Sequence, residues 1–235
     1  MQTIRSVIQS QYPTIEEMPF CAALRDGRFG RNEILRAEIV ELYRALNTRE
    51  RIQSAYKRKL TGAVDEGAIT GGDQNTMVEI INDEGETDEH IDHLDMRFKL
   101  FVGTPVSRQS SFRRNDDLEA INTEWMNICD ESSLFELMAL TAGIEDWYAP
   151  LSAFFEQEYR KRGFSDEELE LFIVHKEADV DHSDAQFDIL ERNRAKFDEA
   201  KIAGMVKRTF KTSRGYDTVK LKLAETDFEL EDLLA

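Results

Sequence analysis

Along most of this chain apolar residues recur at the three-and-four spacing of an amphipathic helix, and residues that favour strands are sparse. The first thirty residues read as an entry segment laid over the rest, closing in the turn-prone run Asp26-Gly27-Arg28-Phe29-Gly30. A helix is predicted from about Asn32, with Ile34, Leu35, Ile39, Leu42 and Leu46 on one face, and a second from about Thr48 to Leu60. Four glycines then predict a loop from Thr61 to Asp73. Gln74 to Gly103 is helical in pattern with a break expected near Gly85. Further helices are expected near Asp116 to Cys129, Ser132 to Arg162 and Asp166 to Ala203, the last broken after His182. Residues 206–235 turn basic and then acidic, a tail that packs on the body, frays or pairs with another subunit. The expected fold is all-α, one domain over residues 1–235, with six or seven helices in a bundle.

Composition narrows the partners. A formal charge of −17 argues against nucleic acid, whose binding depends on Lys and Arg neutralising phosphates, and against an anionic membrane surface. No apolar run reaches the length that spans a bilayer, and the first twenty residues lack the basic and hydrophobic regions of a signal peptide, so a cytoplasmic protein is expected. Cys21 and Cys129 sit in unrelated contexts without metal-like spacing and read as ordinary, partly buried thiols.

All four histidines fall into two clusters, His90 with His93 and His175 with His182. On a regular helix Asp179 and His182 lie about 40° and roughly 20° from His175 around the axis, so this HxxxDxxH run projects from one face. Flanking Phe172, Ile173, Val174, Ala178 and Val180 would bury that helix, and imidazole with carboxylate suits iron, manganese or zinc. Burying three ionisable groups without a cation or partners would cost several kcal/mol. No Glu-x-x-His pair of the ferritin type occurs. The run INDEGETDEHIDHL, with Glu79 just before it, offers Asp83, Glu84, Glu86, His90 and His93 as further donors.

With INDEGETDEHIDHL, FKLFVGTP, ALTAGIEDWYAP and LFIVHKEADVDH in these positions, the chain resembles the heme-oxygenase-like diiron oxidases over roughly Gly27 to Leu190, nearest in pattern to their para-aminobenzoate-forming branch. LFIVHKEADVDH is the most specific match, since His175 follows His90 by 85 residues, as the family's two histidine helices are spaced. The resemblance implies a heme-oxygenase-like bundle holding two Fe(II) ions, or manganese, with Glu84, His90, Glu145, His175, Asp179 and His182 as metal ligands and dioxygen as co-substrate. Glu41 aligns with the helix that lines the pocket and is implied to be a catalytic, transient or outlying ligand. His93 is expected behind the ligands or facing solvent. Glu84 and His90 are about 120° apart on a regular helix whereas Asp83 and His90 share a face, so either Gly85 marks an unwinding or Asp83 is the ligand; alignment with the family favours Glu84.

Phe98, Phe101, Trp147, Tyr148, Phe154 and Phe172 are aromatics that could lie over the metals, with core packing as their ordinary role. Arg97, Arg108, Arg113 and Arg114 could hold a substrate carboxylate. The function implied is oxidation of a small amino acid or related amine in specialised biosynthesis, by N-oxygenation, C–C cleavage or nitrile formation, including from a tryptophan-like substrate. The rivals are a metal-free, thiaminase-like hydrolase of the same fold and a non-enzymatic helical protein whose acidic surface binds a basic partner. A homodimer is compatible with the charged tail.

Overall fold

The computed structural model describes residues 2–83 and 93–235. Nine α-helices form among them: α1 (Ile4–Gln9), α2 (Pro19–Arg25), α3 (Arg31–Asp65), α4 (Gly71–Asp83), α5 (His93–Lys99), α6 (Asp116–Glu131), α7 (Leu134–Arg160), α8 (Glu170–Arg192) and α9 (Glu199–Ala224). The bundle is all-α, as the apolar spacing predicts.

The two helices expected either side of Leu46 are one. Asn47 Nδ2 donates to Tyr43 O (2.7 Å) and Thr48 Oγ1 to Arg44 O (2.8 Å), so polar side chains that often end a helix are absorbed by carbonyls one turn back. Thr61 does the same with Lys57 O, and the loop expected from Thr61 shrinks to residues 66–70.

Helix α7 opens on a capping box. Ser133 Oγ accepts from Glu136 N, and the Glu136 carboxylate accepts from Ser133 N at 2.8 Å. Past Arg160 the chain reverses at Gly163, whose φ of +82° is the left-handed conformation glycine adopts without strain. It returns as α8, and this hairpin is the most extensive helix pairing in the molecule.

The expected break after His182 is absent, because Ser183 bonds its hydroxyl to Val180 O (3.0 Å) and α8 continues to Arg192. The break falls instead at Asn193, whose side chain closes on Ile189 O (2.8 Å). Asp198 then caps α9 by accepting from Ala200 N (2.9 Å). Helix α9 extends through the basic stretch read as tail, burying Val206, Phe210, Tyr216, Val219 and Leu223 against α2, α3, α6 and α7. The last residues pack on the body too, with Arg113 N bonded to Leu233 O (2.9 Å) and Ala235 N to Ser111 O (2.7 Å).

The entry segment is equally anchored. Helix α1 crosses α7 at Gly143, where an added Cβ would come within 2.8 Å of Ile8 Cγ2. Asp146 of α7 accepts from Arg5, from Gln9 Nε2 (3.0 Å) and from the Tyr12 hydroxyl (2.7 Å). Two main groups of buried apolar side chains result, one containing Ile8, Leu137, Met138 and Phe210, the other Phe20, Phe101, Phe155 and Phe172. Each such side chain contributes about 1.5–3 kcal/mol by leaving water. No described helix is long and apolar enough to cross a membrane.

Candidate metal centre

A cavity of about 250 Å³ lies inside the bundle, reached by α3 to α8. Its walls are mainly apolar, with Ile52 and Tyr56 of α3, Met77 and Ile80 of α4, and Trp125 of α6. Into this wall project Glu145 of α7 and His175, Asp179 and Gln186 of α8. Gln186 is eleven residues after His175, about 20° away around the axis, so the HxxxDxxH face continues for about one more turn.

His175 is 6 % exposed and Asp179 2 %, so both are held out of water. His175 Nδ1 sits 2.7 Å from Leu171 O. A carbonyl can only accept, so Nδ1 carries the proton in that bond, and whenever the ring is neutral Nε2 is the nitrogen with the lone pair. That is the arrangement of metal-binding imidazoles, whose second nitrogen donates to a carbonyl or carboxylate. Glu145 is oriented across the α7–α8 seam: Gln186 Nε2 donates to its carboxylate while Thr141 Oγ1 donates to Gln186 Oε1. The His93 ring, from α5, lies 4.4 Å from that of His175, and the Tyr148 ring 6.1 Å from it on another side.

Of the expected ligands, Glu145, His175 and Asp179 therefore share one cavity. His182 is half-buried on the same helix but does not line it. Glu84 and His90, with the side chain of Asp83, lie outside the described residues, and Glu79 is exposed. Among the described residues no three His, Cys, Asp or Glu side chains stand close enough together to hold an ion unaided. The described donors thus fit part of a two-metal set, in chemical type and in the tautomer of His175, and do not complete one.

Glu41 is placed elsewhere. It lines a smaller chamber of about 90 Å³ that shares Arg44, Trp125, Ile144 and Tyr148 with the first, and does not line the main cavity. Burial opposes its ionisation, yet Lys220 (3.2 Å), Arg44 (2.8 Å) and Arg97 (3.9 Å) hold its carboxyl far below the usual range. Of the aromatics named from the sequence, Tyr148 lines the main cavity, Trp147 the smaller one, and Phe101 and Phe172 lie in the core. Arg97 lines the main cavity, Arg108 pairs with Asp95, and Arg113 and Arg114 are exposed. The sequence reading missed Gln186 and Arg44; the first was findable from its eleven-residue spacing to His175, the second only from the fold.

No family model and no curated protein matches the chain. Two crystal structures of a CADD-like protein of unknown function from Nostoc punctiforme PCC 73102 share its fold. With the one at 2.00 Å resolution the TM-score is 0.61 at 13 % identity, covering 99 % of this chain and 96 % of that one. With the one at 1.35 Å it is 0.58, also at 13 % identity, covering 94 % and 91 %. The fold is CADD-like. The CADD-like bundle is shared over nearly its whole length, so the helices carrying Glu145, His175 and Asp179 belong to the common architecture and not to an appended segment.

Proposed function

We propose that this CADD-like chain binds two iron ions and uses dioxygen to oxidise a small amino acid or related amine. The observation that carries the reading is His175, buried beside Asp179 in a largely apolar cavity with its Nδ1 proton committed to Leu171 O and Glu145 across the same space. Glu145, His175, Asp179 and His182, with Glu84 and His90 from the other histidine run, would hold the ions. Ferrous ions, when bound, supply the electrons that reduce dioxygen.

The chain's own residues do the rest. Gln186 fixes one carboxylate oxygen of Glu145, and Thr141 fixes Gln186, so the carboxylate need not reorganise to act as a ligand. Ile52, Met77, Ile80 and Trp125 give the reacting end of a substrate an apolar wall. Against a thiol-dependent hydrolase, neither cysteine lines the main cavity. Burial pushes the Cys129 thiol up to about 12 and raises that of Cys21 well above its ordinary value, so both are protonated at neutral pH.

The test is metal analysis of the full chain after anaerobic loading with ferrous iron. Two irons per chain are expected in the wild type, with loss of at least one in His175→Ala and Asp179→Ala, and dioxygen uptake only by the loaded wild type. No stoichiometric iron, or iron unchanged in both variants, overturns the reading.

A further inference from the structure

Arg44 and Arg97 line the same cavity as Glu145, His175 and Asp179 and are braced from behind by a buried ionic cluster. Glu41 Oε2 lies 2.8 Å from Arg44 Nε and 3.9 Å from Arg97 Nη1, while its other oxygen lies 3.2 Å from Lys220 Nζ. Lys220 also meets Glu38 at 2.9 Å, and the Tyr159 hydroxyl donates to the same Glu38 oxygen at 2.7 Å. Nearby Asp217 is engaged by the Phe20 amide (2.7 Å) and the Cys21 thiol (3.2 Å). Arg44, Arg97 and Lys220 therefore face the carboxylates of Glu38 and Glu41, with Asp217 near Lys220, and Arg44 and Arg97 are the cations of this cluster that line the cavity.

Arg97 is the less satisfied of the pair. Its side chain is 12 % exposed, and among the described residues its ion-pair partner is Glu41 at a distance beyond hydrogen bonding. Arg44 is bound to Glu41 through Nε, which leaves its terminal nitrogens for another acceptor. A half-buried guanidinium whose ion pair among the described residues is this long gains from an incoming anion, and the planar fork suits a carboxylate in particular. Because Glu145 and Asp179 line the same cavity, a monoanion meets less repulsion there than a phosphate dianion would.

We propose that the cavity is a carboxylate-binding site in which Arg97 and Arg44 grip the acid group of the substrate. The apolar body of the ligand then lies along Ile52, Tyr56 and Ile144, and its far end reaches Glu145, His175 and Asp179. Tyr148 stands between the two poles, its ring against His175 and its hydroxyl in the field of Arg97 and Glu41. The direction of the ligand rests on the oxidase reading; the carboxylate grip does not. The substrate class is thus a small organic acid with an apolar or aromatic body and its oxidisable group opposite, or a short chain away from, the carboxylate.

Calorimetric titration of the full chain without added iron tests this, using 3-phenylpropanoate, octanoate and L-tryptophan, each beside its neutral amide. At least one acid is expected to bind about tenfold or more tightly than its amide. Arg97→Gln should remove that preference by weakening the acid far more than the amide, and Glu41→Gln, which removes the competing internal carboxylate, should tighten the acid severalfold. Should Arg97→Gln fail to fold, Arg97→Lys keeps the charge without the fork and is also expected to weaken the acid. Binding of no acid, equal binding of acid and amide, or acid affinity indifferent to the Arg97 and Glu41 substitutions overturns the proposal. Because no iron is present, these outcomes are independent of whether the chain binds metal.

Discussion

Gly143 offers a prediction whose sign depends on one other residue. Replacing it with Ala in the middle of α7 should by helix propensity alone stabilise the chain by about 1 kcal/mol. The new methyl would, however, sit 2.8 Å from Ile8 Cγ2, a branch fixed directly on Cβ that cannot swing away as a long side chain can. Overpacking of this kind costs about 1–3 kcal/mol, so the net effect is a destabilisation of up to about 2 kcal/mol. At about 2–4 °C per kcal/mol for a chain of this size, Tm should fall by up to about 8 °C. Ile8→Leu removes the offending branch while keeping the carbon count. In that background Gly143→Ala should raise Tm by about 2–4 °C, and the double-mutant cycle should show coupling of at least about 1 kcal/mol. Thermal melts of the four proteins decide it. If Gly143→Ala raises Tm with Ile8 present, or the two changes simply add, the close approach of α1 and α7 is not what selects glycine.

Three further outcomes follow from the same structure. Lys220→Met should cost about 3–5 kcal/mol in urea unfolding, because Glu38 and Glu41 lose the buried cation between them; a loss under about 1 kcal/mol would mean the cluster is not held by charge. Gln186→Leu should leave the far-UV spectrum intact while weakening ferrous binding by about 10–100-fold, since Glu145 loses its anchor; unchanged affinity would show that Glu145 is not held for a metal. Acid should destabilise the fold in a defined direction. Burial works against the ionised forms of Asp73, Glu158 and Glu168, but Arg192, Lys161 with Arg162, and Arg31 outweigh it and depress all three. Groups with depressed folded values give their full stability above the ordinary carboxylate range near 4, and that stability drains away as pH falls through the lowered values. Urea midpoints should therefore be level from about pH 5 to 7 and drop below about pH 4; a rise on acidification would contradict the assigned pairs.

How far the site was legible differs by element. The α8 face was readable because helical periodicity is a local property, and it placed His175 and Asp179 on one side before any coordinates. Helix α9 was not, because charge was read in preference to the spacing of Val206, Phe210, Tyr216 and Val219, and the lysines and arginines between them sit mostly on the outer face. Helix ends at Asn47 and Thr61 were misjudged for a similar reason. Such residues stop a helix when their side chains compete for the backbone, and here those side chains bond one turn back instead. The pairing of Arg44 and Arg97 across Glu41 joins positions more than fifty residues apart, and nothing in local pattern announces it. Lys220 is the extreme case, a buried lysine whose carboxylate partners both lie on α3, about 180 residues away in sequence.

The α7–α8 hairpin has a consequence for how the site comes into being. Glu145, His175, Asp179 and Gln186 all belong to this one antiparallel pair, joined by a short reversal at Gly163. Contacts between neighbours in sequence close early and cheaply compared with those that bring α3 or α9 into place. The donor half of the cavity is thus the work of one local hairpin, whereas the arginine half, on α3 and α5, joins it only when segments distant in sequence dock.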